Sequence, residues 1–315
     1  MEKLIVSTSP HIRTKISTTH IMGDVLIALS PAAIASVVLF GLRALLIIAV
    51  CVVSAVVSEF LFNLITKKAQ TVTDLSAAVT GLILALCLPV KTGIWECIVG
   101  SVFAIIVVKC LFGGIGCNFA NPAATARVML LVAFATSVGG GSHTVYQDAE
   151  LVGGATPLEI LKGDDLSNLP SLLDMFLGNR MGAIGETCAL ALIIGFIYLV
   201  VRKVISWQVP VIYIGTVFLL SLLIELDFTA ALYQVLGGGL LIGAIFMATD
   251  YTTSPINKRG KMVFALGCGL FTVLFRYCSK MPEGVSYAIL IMNILSPYIE
   301  KLCTKAPLGK EGKKK

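Results

Sequence analysis

LSAAVTGLILALCLP (Leu75–Pro89) is apolar, carries Gly81 in its middle and stops at a proline; LGGGLLIGAIFMATD (Leu236–Asp250) repeats that character in the second half of the chain. As a helix the stretch Leu75–Leu88 reaches only about 21 Å, short of a hydrocarbon core of roughly 30 Å. A helix interrupted at membrane depth is tolerated only where it lines a cavity or is buried in protein. The two stretches thus point to a membrane bundle of two similar halves, each with a broken helix.

Composition agrees. Hydrophobic residues make up 57% of the chain, charged residues 13%, and the mean hydropathy is +0.93. A soluble domain carries about 25% charge. Five apolar runs precede a long polar interval: Met22–Phe40, Leu42–Ile65, Leu75–Leu88, Ile94–Phe112 and Pro122–Val138. Five follow it: Met181–Val201, Trp207–Ile224, Ala230–Ala248, Lys261–Arg276 and Val285–Leu302. None alternates in the manner of a barrel strand. The fold class expected is an all-α integral membrane protein of about ten transmembrane helices. Met22-Gly23 and Met181-Gly182 open the two halves, and Lys109 and Arg276 each precede a polar Gly/Pro turn late in them. Five spans are an odd number, so the second half enters from the opposite side and the repeat is inverted. The organisation expected is residues 1–21 as an amino-terminal segment, 22–138 as the first five-helix repeat, 139–179 as a loop, 180–304 as the second repeat and 305–315 as a basic tail.

Basic residues gather on the cytoplasmic side of membrane proteins. With the amino terminus inside, Lys3, Arg13, Lys15, Lys67, Lys68, Lys109, Arg202, Lys203, Lys258, Arg259, Lys261 and the lysines from Lys301 onward fall in the cytoplasm. Both termini are then cytoplasmic and the loop 139–179 lies outside. The net charge of +6 is accounted for by these anchoring residues and calls for no nucleic-acid partner. Residues 1–21 lack the apolar core of a cleavable signal. Eight of the nine cysteines lie in or at the ends of apolar runs and read as small buried residues; Cys117 sits among glycines.

The break points carry the chemistry. In CNFANPAATARV, Asn118 or Asn121 caps a helix whose first turn holds Pro122. Arg127 adds a charge that is expensive against lipid, and Asp250 and Arg276 are comparable in the second half. Together Asn118, Asn121, Arg127, Asp250 and Arg276 outline a polar internal site for an anionic or electron-rich ligand; the same residues also serve a bundle held by mutual pairing. Asp24 and Glu59 read as helix-end residues. His11, His20 and His143 show no metal-ligand spacing, so no metal site is expected. There is no ferredoxin-type cysteine cluster and no glycine fingerprint after a strand.

Within the loop, ELVGGATPLEI (Glu150–Ile160) places Thr156 after Gly153, Gly154 and Ala155, with no bulky neighbour to shield its hydroxyl, and Pro157 begins a short helix. An attachment or ligand point and a plain loop threonine both fit.

The motifs TDLSAAVTGLILALCLP, FGGIGCNFANPA, GGATPL, MATDYTTSP and PEGVSYAILIMNILSPYIE resemble, over nearly the whole chain, the family that unites the D component of the Rnf complexes (RnfD) with the B component of the sodium-pumping NADH:quinone reductase (NqrB). The length favours the Rnf branch. That family's flavin-attachment pattern is an acid, two spacers, Ser or Thr, then Gly-Ala-Thr. Here the acid is Glu150 where Asp is usual, Gly153 takes the Ser/Thr place, and Gly154, Ala155 and Thr156 match. The resemblance implies FMN joined by its phosphate to Thr156 through a flavin transferase. It also implies a second, non-covalent flavin (riboflavin or FMN) in the bundle, and a role in relaying electrons within an ion-translocating ferredoxin:NAD+ oxidoreductase of the cell (inner) membrane. The partners it implies are the other Rnf components: the A and E membrane proteins, the G flavoprotein and the B and C iron–sulfur proteins, together with membrane lipid. Two other readings are kept: a part of a sodium-pumping quinone reductase, and a small-solute channel, since the five-plus-five layout also resembles urea transporters.

Overall fold

The computed structural model describes residues 17–139, 144–147, 150–163, 169–279 and 283–304. The segment before residue 17 and the tail 305–315 lie outside the described residues, as do His143 and Lys280.

The first half opens with α1 (Thr18–Phe40) and α2 (Leu42–Ile65), joined by Gly41 alone. Then come α3 (Ser76–Leu86) and α4 (Ile94–Val102), which runs on as a wider π-helical stretch, Phe103–Cys110. Next, α5 (Pro122–Ala133) leads through the single turn α6 (Ala135–Val138) to the polar interval. That interval holds a two-stranded antiparallel hairpin, β1 (Thr144–Gln147) with β2 (Glu150–Gly153), and the short helices α7 (Pro157–Lys162) and α8 (Leu172–Leu177). The second half contains α9 (Ala189–Val201), α10 (Gln208–Glu225), α11 (Phe228–Leu236), α12 (Leu240–Ile242) with its π extension Gly243–Met247, α13 (Lys258–Cys278) and α14 (Val285–Cys303).

The structure is helical apart from the hairpin, and the broken elements fall where the sequence places them. α3 has only 11 residues. Phe228–Leu236 and Leu240–Met247 meet at a bend of 63° across Gly237-Gly238-Gly239. Gly238 there has φ of +60°, left-handed backbone that glycine adopts without a steric cost. Not all ten expected spans are single long helices. Among the described residues four helices are long and apolar enough to cross a membrane, or five with the bent pair taken as one. The other apolar runs divide: α3, α5 and α9 are shorter apolar helices, and Ile94–Cys110 changes its winding midway.

A second difference concerns Met181-Gly182. No helix begins there. Residues 181–188 form a non-helical, largely buried strip, and α9 starts at Ala189. The strip closes the end of α3: the Ile184 and Gly185 amides donate to the carbonyls of Leu88 (3.0 Å) and Leu86 (2.6 Å). It answers the free carbonyls that a truncated helix leaves in an apolar interior.

Small residues let helices approach closely, as in membrane bundles generally. A Cβ on Gly81 of α3 would lie 2.7 Å from the Cys51 carbonyl of α2, and one on Gly195 of α9 only 2.3 Å from the Ala28 carbonyl of α1. α2 packs against α3 and α4 as α10 packs against α11 and α13, so both halves use one local plan. The cysteine reading holds for Cys51, Cys87, Cys97, Cys110 and Cys268, which are buried; Cys278 is exposed.

Candidate functional site

Two polar regions adjoin α5, one at its start and one at its middle. At its start, Asn121 caps the helix: its Oδ1 accepts from the amides of Ala123 (3.0 Å) and Ala124 (3.1 Å), while its Nδ2 donates to the Met247 carbonyl (3.2 Å) at the end of the second broken element. The cap thus ties the two halves together. Beside it is a cavity of about 360 Å³, walled by apolar side chains of α1 (Ile21, Met22, Val25), α3 (Val79, Ile83) and the second half (Ile245, Phe246). Its polar lining includes Ser76, Thr80, Lys109, Asn118, Asn121, Thr249, Asp250 and Thr252. Asp250 is tied at the rim, accepting from the Thr253 hydroxyl at 3.1 Å and the Thr252 amide at 3.4 Å. Asn118 Nδ2 donates to the Ala120 carbonyl at 3.1 Å. A mainly apolar slot with a few fixed polar groups is the usual form of a cofactor site.

Lys109 reaches this cavity as one member of a closed network. Its ammonium donates to Glu59 Oε1 (2.8 Å) and Oε2 (2.9 Å) and to Ser76 Oγ (2.5 Å). The two side chains are only 4% and 2% exposed. Glu59 also accepts from Thr71 Oγ1 at 2.6 Å, so its charge is matched and its oxygens are filled. The expectation of a helix-end Glu59 is replaced: Glu59 and Lys109 are buried in the bundle and pair across α2 and the extension of α4. Asp24 does take a partly exposed place, accepting from Tyr198 (2.9 Å) and Arg202 (3.3 Å).

Arg127 and Arg276 do not line that cavity. They belong to the second region, beside the middle of α5 and the glycine break. Arg127 is shared between Glu186 (2.9 Å) of the buried strip and Glu283 just before α14, with which it makes a close ion pair. A Cβ on Gly239 would meet Glu186 Oε1 at 2.8 Å and Arg127 Nη1 at 3.4 Å, so the glycine break is what admits the ion pair. Arg180 braces the strip, donating to the carbonyls of Glu186 (2.6 Å) and Thr187 (3.3 Å). Arg276, 1% exposed, donates to the Gln234 carbonyl, to Gln234 Oε1 (3.3 Å) and to the Gly237 carbonyl (3.1 Å).

Thr156 adjoins this region. It caps α7: its Oγ1 accepts from the Glu159 amide (3.3 Å) and its own amide donates to Glu159 Oε2 (2.7 Å). The residue is 6% exposed, which corrects the expectation of an open hydroxyl. The shielding comes from tertiary packing: Leu158 is buried against Gly237 and Gly238, and Gly154 lies under Met181. Of the motif, Glu150 and Gly153 lie in β2, and Gly154 and Ala155 form the extended link from it to Thr156.

Sequence reasoning therefore outlined one site where there are two regions, and passed over Glu186, Glu283, Arg180, Lys109 and Glu59 as site residues. The signal for Glu59 and Lys109 was present, since a charge inside an apolar run needs a partner. Among the described residues no group of three or more His, Cys, Asp or Glu is arranged to hold a metal.

Residues 5–309 match the family described as NQR2, RnfD, RnfE. The chain belongs to that family. It is 44% identical, over 97% of its length and 95% of the relative's, to the D component of the Na(+)-translocating ferredoxin:NAD(+) oxidoreductase complex of Acetobacterium woodii. It is 40% identical, over 96% of each chain, to the D component of the proton-translocating ferredoxin:NAD(+) oxidoreductase complex of Clostridium ljungdahlii. At 31% identity over 98% of each chain it matches the D component of the ion-translocating oxidoreductase complex of Methanosarcina acetivorans. Within the NQR2, RnfD, RnfE family, then, relatives of comparable similarity carry either ion in their names.

Proposed function

We propose that this chain is the RnfD component of an ion-translocating ferredoxin:NAD+ oxidoreductase in the cell membrane. It carries FMN joined through its phosphate to Thr156 and holds a second, non-covalent flavin in the cavity beside Asn118, Asn121 and Asp250. The observation that carries the reading is the near full-length identity to the D components of such complexes. The bundle is an inverted five-plus-five repeat with Thr156 outside and both termini in the cytoplasm, as the distribution of basic residues favours. Ferredoxin and NAD chemistry falls to iron–sulfur and flavoprotein partners, and a flavin transferase acts on Thr156. The NQR2 branch of the family supports a second reading, a place in a sodium-pumping quinone reductase.

The residues suit these groups. A flavin, when bound, supplies one- and two-electron transfer between partners. The cavity's aliphatic walls and Phe246 match the apolar edge of such a ring system. Asn118, Thr80 and Thr252 offer neutral hydrogen-bonding groups, and Lys109 is neutralised by Glu59, so the pocket presents no unmatched charge at that point. The Thr156 hydroxyl, held at a helix start between Gly154 and Pro157, is positioned by its own capping box.

The test is direct. Protein made together with a flavin transferase is expected to be yellow and to keep flavin fluorescence after denaturing electrophoresis. Mass spectrometry is expected to place one FMN on the peptide containing Thr156. A colourless protein, or denaturation-resistant fluorescence that survives Thr156→Ala, would refute the attachment.

A further inference from the structure

The region under α7 holds a buried cation with no carboxylate in contact with it among the described residues. Arg127 is matched by Glu186 and Glu283, but Arg276, equally buried, has no carboxylate within ion-pair distance among the described residues. Its acceptors are neutral oxygens of Gln234 and Gly237, and its Nε has no hydrogen-bond partner. The acid at the end of α10, Glu225, is engaged by Gln234 Nε2 (3.0 Å) and by the Tyr277 hydroxyl, leaving its Oε2 without a partner. Burying a guanidinium without a counter-charge costs several kcal/mol. An arrangement that keeps such a charge is suited to receive an anion.

The guanidinium faces α7. A point above Gly238, where a side chain would sit, is 3.2 Å from Arg276 Nη2 and 2.9 Å from Leu158 Cδ1, two residues after Thr156. Gly238, having no side chain, leaves the guanidinium and Leu158 of α7 bordering the same small space. The charge is felt there: burial and the field of Arg276 push the Lys162 ammonium down from its ordinary range.

We propose that Arg276 is the anion-holding residue of a phosphate site beneath α7, and that the phosphate it takes is that of the flavin nucleotide at Thr156. This rests on the reading of Thr156 as the attachment point. Arg276 recognises the phosphate as a charge and is a binding residue for the nucleotide, with α7 and Leu158 shifting to admit it. A phosphate ester bonded to threonine and to the flavin's ribityl chain carries one negative charge, which an arginine held only by neutral acceptors can meet.

The experiment uses full-length protein from cells lacking the transferase, saturated with riboflavin and then titrated with FMN by calorimetry. Wild type is expected to bind one further FMN that riboflavin does not displace. Arg276→Gln is expected to weaken that site at least about tenfold and Arg276→Lys by less than about threefold, since the charge is kept while the fork is lost. No riboflavin-resistant FMN site in wild type overturns the proposal, as does unchanged FMN affinity in Arg276→Gln; should that variant fold poorly, wild type and Arg276→Lys still decide, since a loss above about tenfold in the lysine variant would show that charge is not what holds FMN. Peptide mass spectrometry of protein made with the transferase separates the two readings. FMN absent from Thr156 refutes the attachment; FMN present with an affinity indifferent to Arg276 refutes this inference alone.

Discussion

The two charged regions are built alike and end differently. Glu59 and Glu225 are each the eighteenth residue of a long helix, counted from Leu42 and Gln208. A cation from a later helix answers each: Lys109 of the α4 extension contacts Glu59, and Arg276 of α13 lies one glutamine away from Glu225. In the first half acid and base touch, and Ser76 and Thr71 fill the remaining valences. In the second, Gln234 stands between them, its amide donating to Glu225 and its oxygen accepting from Arg276. A closed pair is a structural fastening. A separated pair leaves two unfilled atoms and a charge free to act on something else.

The largest effect expected from breaking this pattern is at Arg127. Arg127→Leu takes away the cation that Glu186 and Glu283 share, at a cost of about 3–5 kcal/mol. Loss of folded yield, or a strongly lowered thermal midpoint in detergent, checks it, and Arg127→Lys should recover part of the loss. Lys109→Met should cost nearly as much by stranding Glu59. The double variant Lys109→Met with Glu59→Leu should return to within about 1–2 kcal/mol of wild type, because well-packed apolar residues replace a buried pair with little penalty. A double variant as unstable as the single would show that the pair does more than fasten helices.

Gln234→Leu sharpens the comparison at intermediate size. It strips partners from both Glu225 and Arg276, for a loss of about 1–3 kcal/mol. Thr156→Val keeps shape but removes the cap of α7, a loss of about 1 kcal/mol that should appear as faster hydrogen exchange at the Glu159 amide with the global midpoint little changed. The smallest effect concerns pH. Lys162 has a folded pKa below its ordinary value, so the unfolded chain binds more protons between the two, and stability rises as pH climbs through the depressed value toward the ordinary lysine range. Thermal midpoints of wild type against Lys162→Gln across mildly alkaline pH should show a rising difference that is absent from the variant.

Much of the first region was legible in the chain. The short apolar run Leu75–Leu88, its proline stop and the Asn-Pro sequence at Asn121 each carry a local cause, and α3, the cap and the cavity wall stand where those causes put them. Arg127 and Arg276 were legible as costly charges but not as members of a different region. Their neighbours Glu186 and Glu283 come from a non-helical strip and a turn, which have no periodicity to read. Thr156 was legible as a helix start and misjudged in exposure, since Leu158 and Met181 cover its surroundings only after the loop folds back on the glycine break.

Composition and local pattern determined that this is a helical membrane protein, where its helices break and which residues cap them, because hydropathy, glycine, proline and asparagine act within a few residues of themselves. Which charges meet was decided by tertiary structure alone. The low-polarity interior makes every buried charge seek a partner, and distance in the bundle, not in the chain, determines whether Lys109 finds an acid or Arg276 is left with carbonyl oxygens.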